Sequence, residues 1–446
     1  MHGNSWLRIA PGLCFLALGI LSACGGGGSA TALDEGHART ATDAPLAAAR
    51  VPASYSARFI EPPFGPFGGI GTARAIDMRG RFIGAYGFNQ EVHAYLDDAA
   101  SSVALTDPSR EFNSQALALG ETGWVAGVID YAFGGGIVPR AFAWSRDSGT
   151  IEITAGLSGF AWSRALSATD SGLIGGDLCA VLGQADGHDF DSCNEAYIWD
   201  SSDRSIRRYP QFRVSSMNEA GTMVGISSAP NCPDGLALMQ RDGSLRALGL
   251  GVPVVGPNQG RDAPFVADDE SVFVQATAGN GDLKQGAIVV TRDGARNIGL
   301  GVAAPPGVTP SFEFNDFTDV HRSGQHVVGT DFVTYAGAQG EDVHSETGFY
   351  WNASEGATAI RIGSAISQPA AVNKDGIVVG AVVEPDPNQR GAVAFVWSRT
   401  SGGVLLETLV GNMPGLRLRG AQAIGDGGHI IARSEDGGFV LLTPER

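Results

Sequence analysis

The densest run of proton- and metal-handling side chains is Asp186-Gly187-His188-Asp189-Phe190-Asp191-Ser192-Cys193-Asn194-Glu195. It carries enough oxygens for calcium, which takes roughly six to eight oxygen ligands. The spacing matches no calcium-loop pattern, and a solvated acidic loop accounts for the same residues. No cofactor is therefore required, and Ca2+ is the one ion this loop could take. A second run, Glu341, Asp342, His344 and Glu346, has the same two readings. His321 and Trp162 are two further ligand-contact candidates, because each departs from the pattern of the residues around it. No nucleophile, base and orienting group can be assembled from these positions, so no catalytic residue is assigned.

These residues interrupt a repeat, and the repeat must position them. Its clearest copy runs from Ala370 to Trp397: an apolar run, Asn373-Lys374-Asp375-Gly376, Ile377-Val378-Val379-Gly380, a polar loop, then Ala394-Phe395-Val396-Trp397. The Asn side chain can bond backbone two residues on, and Gly supplies a positive φ, which makes a hairpin turn. The β-branched residues that follow favour a strand. Arg399 to Gly403 turns the chain again and Val404 to Leu409 continues it, so one copy is a four-stranded meander.

With the turn glycine as a ruler, copies fall at Gly80, Gly123, Gly172, Gly221, Glu270 in place of Gly, Gly324, Gly376 and Gly428. A period near 50 residues with strand chemistry points to an all-β propeller of about eight four-stranded blades, with seven as the alternative. Adjacent blades then form the core between them, and the phase-matched Trp144, Trp199, Trp351 and Trp397 belong there. One extra residue between Val320 and Val327 reads as a β-bulge. The last copy is one strand short, and Ser56-Ala57-Arg58-Phe59-Ile60 is unassigned upstream, so the first strand is expected to pair beside Phe439 and seal the ring. Long insertions lie between second and third strands and therefore share one rim. The largest span Cys179 to Glu195 and Asp331 to Thr347, with Trp162 in a crossover on that rim.

The composition agrees: 64 Gly and 22 Pro with 17% charged residues suit short strands joined by turns. A formal net charge of −17 repels phosphate backbones, which excludes nucleic acid as a partner. At the N-terminus, Arg8 precedes an apolar stretch from Ile9 to Leu21 that is too short for a comfortable membrane span. It ends in Leu21-Ser22-Ala23-Cys24, which resembles the lipobox of bacterial lipoproteins. The resemblance implies a signal peptide over 1–23, cleavage before Cys24 and acylation of its thiol, palmitate included. Gly25, where an Asp would suggest inner-membrane retention, implies the outer membrane, with the protein facing the periplasm or the cell surface. Residues 24–53 read as a low-complexity tether and 54–446 as the propeller.

The third strands, His93-Ala94-Tyr95, Ala141-Phe142-Ala143-Trp144 and their counterparts, with turns such as Asn218-Glu219-Ala220-Gly221 and Asn373-Lys374-Asp375-Gly376, resemble the HAF-type extracellular repeat family from about Thr72 to Leu442, in which a His-Ala-Phe-like strand follows an Asn-x-x-Gly turn. Most copies lack the family His, and Asp268-Asp269-Glu270-Ser271 departs from the usual turn. The family implies an exported repeat protein and supplies no catalytic residue. In an oxidising compartment one disulfide is expected among Cys179, Cys193 and Cys232. A Cys179–Cys193 bond would pin a loop base, worth about 3 kcal/mol in the chain-entropy model. A bond from Cys232 is the rival. The preferred function is a monomeric, lipid-anchored module binding an envelope protein or glycan. A glycan-active hydrolase or lyase built on rim carboxylates and a structural envelope component are the alternatives.

Overall fold

The computed structural model describes residues 50–61, 69–88, 91–98, 101–107, 109–133, 136–180, 193–230, 232, 235–255, 263–277, 285–301, 310–337, 341–363, 365–383 and 391–445. The signal peptide and Cys24 therefore lie outside the described residues, as do Asp186, His188, Asp189 and Asp191. The chain divides into Met1–Ala44 and a compact unit, Pro45–Arg446. That unit is an eight-bladed β-propeller of four-stranded antiparallel sheets.

Seven blades are simple meanders whose innermost strands are Gly69–Ile76, Asn113–Leu119, Trp162–Ala168, Phe212–Met217, Phe265–Val266, Pro310–Val320 and Ile366–Val372. Blade eight is assembled from both ends of the chain. Its strands Leu418–Ile424, Ile430–Ser434 and Phe439–Pro444 take Tyr55–Phe59 as the outermost strand, with Phe59 opposite Val440. Ile60 N–H donates to the Phe439 carbonyl at 2.9 Å. The closing strand is also tied sideways. Asn412 accepts from Ala57 N–H at 2.7 Å and donates to its carbonyl at 2.9 Å, while Arg58 pairs with Asp97 of blade one at 2.5 Å.

Among the described residues, eight apolar clusters form the core, and each is shared by two adjacent blades, from one and two round to eight and one. Trp144, Trp199, Trp351 and Trp397 are all buried in these clusters. No blade covers its own faces, so stability comes from the interfaces, at roughly 1.5–3 kcal/mol for each large side chain buried.

A recurring close contact explains the motif within each blade. In every long inner strand the register slips by one residue, for example between Ala165 and Ser167, Val214 and Ser216, and Pro369 and Ala371. Beside this bulge a carbonyl faces the third or fourth residue of the second strand. A Cβ at Gly380 would lie 2.2 Å from the Gln368 carbonyl oxygen and 2.9 Å from the Phe395 ring. Gly127, Gly176 and Gly329 are crowded in the same way by a bulge carbonyl and by Phe142, Tyr197 and Phe349. Bulge, glycine and third-strand aromatic therefore form one unit. Blade five has an inner strand of two residues without a bulge, and Val274 occupies the glycine position. The bulge expected near Val320 is corrected accordingly. It lies between Phe317 and Asp319, as in the other blades, while the extra residue is taken up in the turn, where His321 N–H donates to the His326 carbonyl.

Glu270 confirms the ruler from the other direction. Its φ of 64° is left-handed, as at the turn glycines of the other blades. A side chain there costs about 1 kcal/mol. Gly380→Ala should therefore lower stability by about 2–4 kcal/mol through overpacking, whereas Glu270→Gly should be neutral or stabilising by about 1 kcal/mol. Urea-unfolding midpoints of the two variants check the contrast, and equal midpoints would contradict it.

Candidate functional site

The first-to-second turns meet around the channel on one rim. In three of them the first residue caps its own turn: the Asn218 side-chain oxygen accepts from Ala220 N–H at 3.1 Å and Thr222 N–H at 2.9 Å, and Asp77 and Asn373 do the same for Arg79 and Arg81 and for Asp375 and Ile377. The next residue lies on the rim, and where it is an acid it accepts from the main chain of the preceding blade. These residues are Met78, Glu121, Asp170, Glu219, Asp268, Arg322, Lys374 and Asp426, five of them acids.

They link into a belt. Met78 N–H donates to Glu121 at 2.8 Å, Glu121 N–H to Asp170 at 2.6 Å, and Asp170 N–H to Glu219 at 2.9 Å. Glu219 N–H donates to Asp268 at 3.0 Å and Lys374 N–H to Asp426 at 2.8 Å. Asp268 N–H, facing an arginine, uses the Arg322 carbonyl at 2.8 Å instead. Arg322 reaches across the channel from blade six to blade three, donating to Asp170 at 2.6 Å, with Glu219 at 3.7 Å. His321 Nε2 meets Asp426 of blade eight at 3.2 Å, and its Nδ1 takes up Ser323.

The electrostatics follow from this packing. Burial raises the pKa of Glu121 and Glu219 against the opposing backbone donors. Burial would also raise Asp426, but hydrogen bonds from His321 and Lys374 N–H outweigh it and the net shift is downward. Behind the mouth lies a channel cavity of about 560 Å³, lined by Ser215, Phe265, Thr318, Asp319 and Gln422 among others. The rim acids do converge on the channel, but as acceptors for neighbouring main-chain N–H groups, with Arg322 between them. The arrangement acts as a latch across the ring.

Among the described candidates, only His321 reaches this mouth, on the rim opposite the long insertions. Trp162 is not in a crossover. It begins the inner strand of blade three, opposite Cys179, with the Arg164 guanidinium 5.8 Å from its ring. Cys179 and Cys193 are disulfide-bonded at facing positions of two paired strands, and Cys232 is buried in the core between blades three and four. Among the described residues, no three His, Cys, Asp or Glu side chains gather closely enough to hold a metal ion. The belt itself was missed, although its signal was present: the residue two before each turn glycine is acidic in five of the eight copies.

The stretch from Asp331 to Thr347 is also corrected, from a loop to an arm. Pro310–Val320, His326–Ala336 and Asp342–Asn352 are eleven residues each and pair as far as Ala336 with Asp342, so Asp342 and His344 are strand residues and Glu341 closes the end of the hairpin. One face carries Phe312, Phe314 and Phe332 in a row, with ring centroids 6.2 and 6.4 Å apart, and Phe312 is 48% exposed. His344 Nδ1 lies 3.0 Å from the Thr334 hydroxyl on this face, and Gln368 of blade seven donates to Glu346 at 3.0 Å. The other face is fastened to blade five, where Asn315 accepts from Ala287 N–H at 2.6 Å and Asp331 from Leu300 N–H at 2.7 Å.

Two outcomes are expected. Arg322→Met should lower stability by about 1 kcal/mol, more at low salt than at high, since it leaves the belt acids without their shared cation; a loss independent of salt would argue against the latch. Burial pushes Asp331 from 3.8 up to about 6. Between those values the folded chain binds more protons than the unfolded one, so stability should fall as pH rises from about 4 to 6, by on the order of 1–2 kcal/mol. Asp331→Asn should remove that part of the slope, which urea titrations across this pH range would measure.

No family model and no curated protein matches the chain. Among solved structures it is similar to a gluconolactonase from Xanthomonas campestris, at 10% identity and a TM-score of 0.31, over 63% of this chain and 84% of that one. It is also similar to the AtxE2 isopeptidase at 9% identity and a TM-score of 0.28, over 79% of this chain and 52% of that one. A protein from Lactobacillus plantarum matches at 14% identity and a TM-score of 0.28, over 71% of this chain and 90% of that one. At such scores none of them bears on what this chain does.

Proposed function

We propose that the chain is an exported propeller, anchored in the bacterial outer membrane through lipid on Cys24, that binds an envelope protein or glycan with its loop-bearing rim. The observation that carries this reading is the arm of blade six: a rigid three-stranded extension, rooted on blade five, that presents the Phe312, Phe314 and Phe332 row. A row of one exposed and two half-buried aromatics on a fixed scaffold gives contact area at small conformational cost. The belt acids, engaged by main-chain donors, support a scaffold role for the opposite rim rather than a hydrolytic centre. The lipobox-like Leu21-Ser22-Ala23-Cys24 and the resemblance to HAF-type repeats support the envelope address.

The full chain in detergent can be assayed on a glycan array, on isolated cell-wall sacculi and on immobilised envelope proteins, beside a Phe312→Ser/Phe314→Ser variant. The wild type should bind one of these and the variant at least tenfold more weakly, with its unfolding midpoint unchanged. Equal retention of both proteins would refute the arm as the binding surface. Cys24→Ser should abolish incorporation of a palmitate label and move the protein to the aqueous phase. A variant that still partitions with membranes would refute the anchor.

A further inference from the structure

A second cavity, of about 670 Å³, opens between blades one and two, away from the channel and the arm. Its distinctive group is Glu111, whose side chain is only 3% exposed although it lines this space. One oxygen, Oε1, takes every hydrogen bond the residue makes among the described residues: from the Thr106 hydroxyl, from the Ser114 hydroxyl at 2.9 Å and from His93 Nδ1 at 3.3 Å. His93 is itself buried and held on its far side by Glu91, with Nε2 to carboxylate at 3.5 Å. Three donors on a single oxygen fix the carboxylate plane and leave Oε2 as an oriented acceptor. His93 is shared between two carboxylates, so the buried Glu111 charge is only partly offset from within, and a cation at Oε2 completes the pairing.

The rest of the cavity is complementary to a particular kind of molecule. Arg110 lines it with a side chain 82% exposed, and among the described residues its ion pair is with Asp107, an exposed acid of the same lining, at 3.3 Å. Arg140, by contrast, is immobilised, donating to the Ala161 carbonyl at 2.6 Å with its guanidinium 5.3 Å from the Phe160 ring centre. Ile129 and Val138 give an apolar wall. The site thus offers an inner acceptor for a cation, an outer guanidinium for an anion and hydrocarbon beside them, in a volume suited to a small molecule.

We propose that this cavity binds a free α-amino acid with an aliphatic side chain, its ammonium on Glu111 Oε2, its carboxylate on Arg110 and its side chain against Ile129 and Val138. Isothermal titration of the full chain in detergent with L-leucine tests the assignment. Leucine should bind, N-acetyl-leucine at least tenfold more weakly because its ammonium is gone, and Arg110→Ala should weaken leucine several-fold. Glu111→Gln should abolish the heat of binding. No heat from leucine, valine or isoleucine would overturn the proposal, as would equal binding of N-acetyl-leucine or undiminished binding by a folded Glu111→Gln. If that variant unfolds, the comparison of leucine with its acetylated form on the wild type decides the matter.

Discussion

The structure depends on one crowded contact repeated around the ring. Each long inner strand carries an extra residue at its middle, and in blades two, three, four, six and seven a carbonyl beside it presses on the second strand where only hydrogen fits on the α-carbon. The third-strand aromatic then lies over that glycine. A bulge raises local twist, and blades stacked around an axis need twisted sheets. The three features coincide in blades two, three, six and seven; blade five lacks both bulge and glycine, and blade eight keeps the bulge but sets Ala432 at the glycine position, opposite Val440. Blade four shows the same physics with a substitute: the third strand supplies Ala237, and the Phe212 ring of the inner strand takes the place over Gly225.

The two rims differ in what their residues do. On the turn rim nearly every polar side chain serves the ring itself, capping its own turn or a neighbour's main chain. Arg322 ties blades that share no interface. On the other rim blade six spends its insertion on three paired strands rather than on a loop, so side chains far from the core keep fixed spacing. A scaffold that is rigid at the turns and elaborated at the opposite edge concentrates recognition on one side.

Much of the fold was legible because strand and turn chemistry is local. Asn373, Gly376 and the Val378-Val379 pair announce a hairpin without help from the rest of the chain, and counting them gave the blade number and the missing strand supplied by Tyr55–Phe59. Other features were not legible for an equally physical reason. The arm reads as a loop because Asp342, His344 and Glu346 alternate with small residues, and strand pairing there is fixed by the partner strands Pro310–Val320 and His326–Ala336, not by local composition. The belt escaped notice because each of its acids looks like an ordinary turn residue, and its partner lies about one full repeat further along. Glu111 gave no signal at all, since His93, Thr106 and Ser114 converge on it only after blades one and two have docked.

The sealing of blade eight has a temporal consequence. Tyr55–Phe59 is made before any other strand of the ring, yet its partner, Phe439–Pro444, is made last. Until that partner is made, the earliest strand has no ladder to join and the circle stays open at one seam. Contacts so remote in sequence form slowly, so a chain cut off a few residues early would hold nearly all its blades and still lack the clasp that makes them a closed ring.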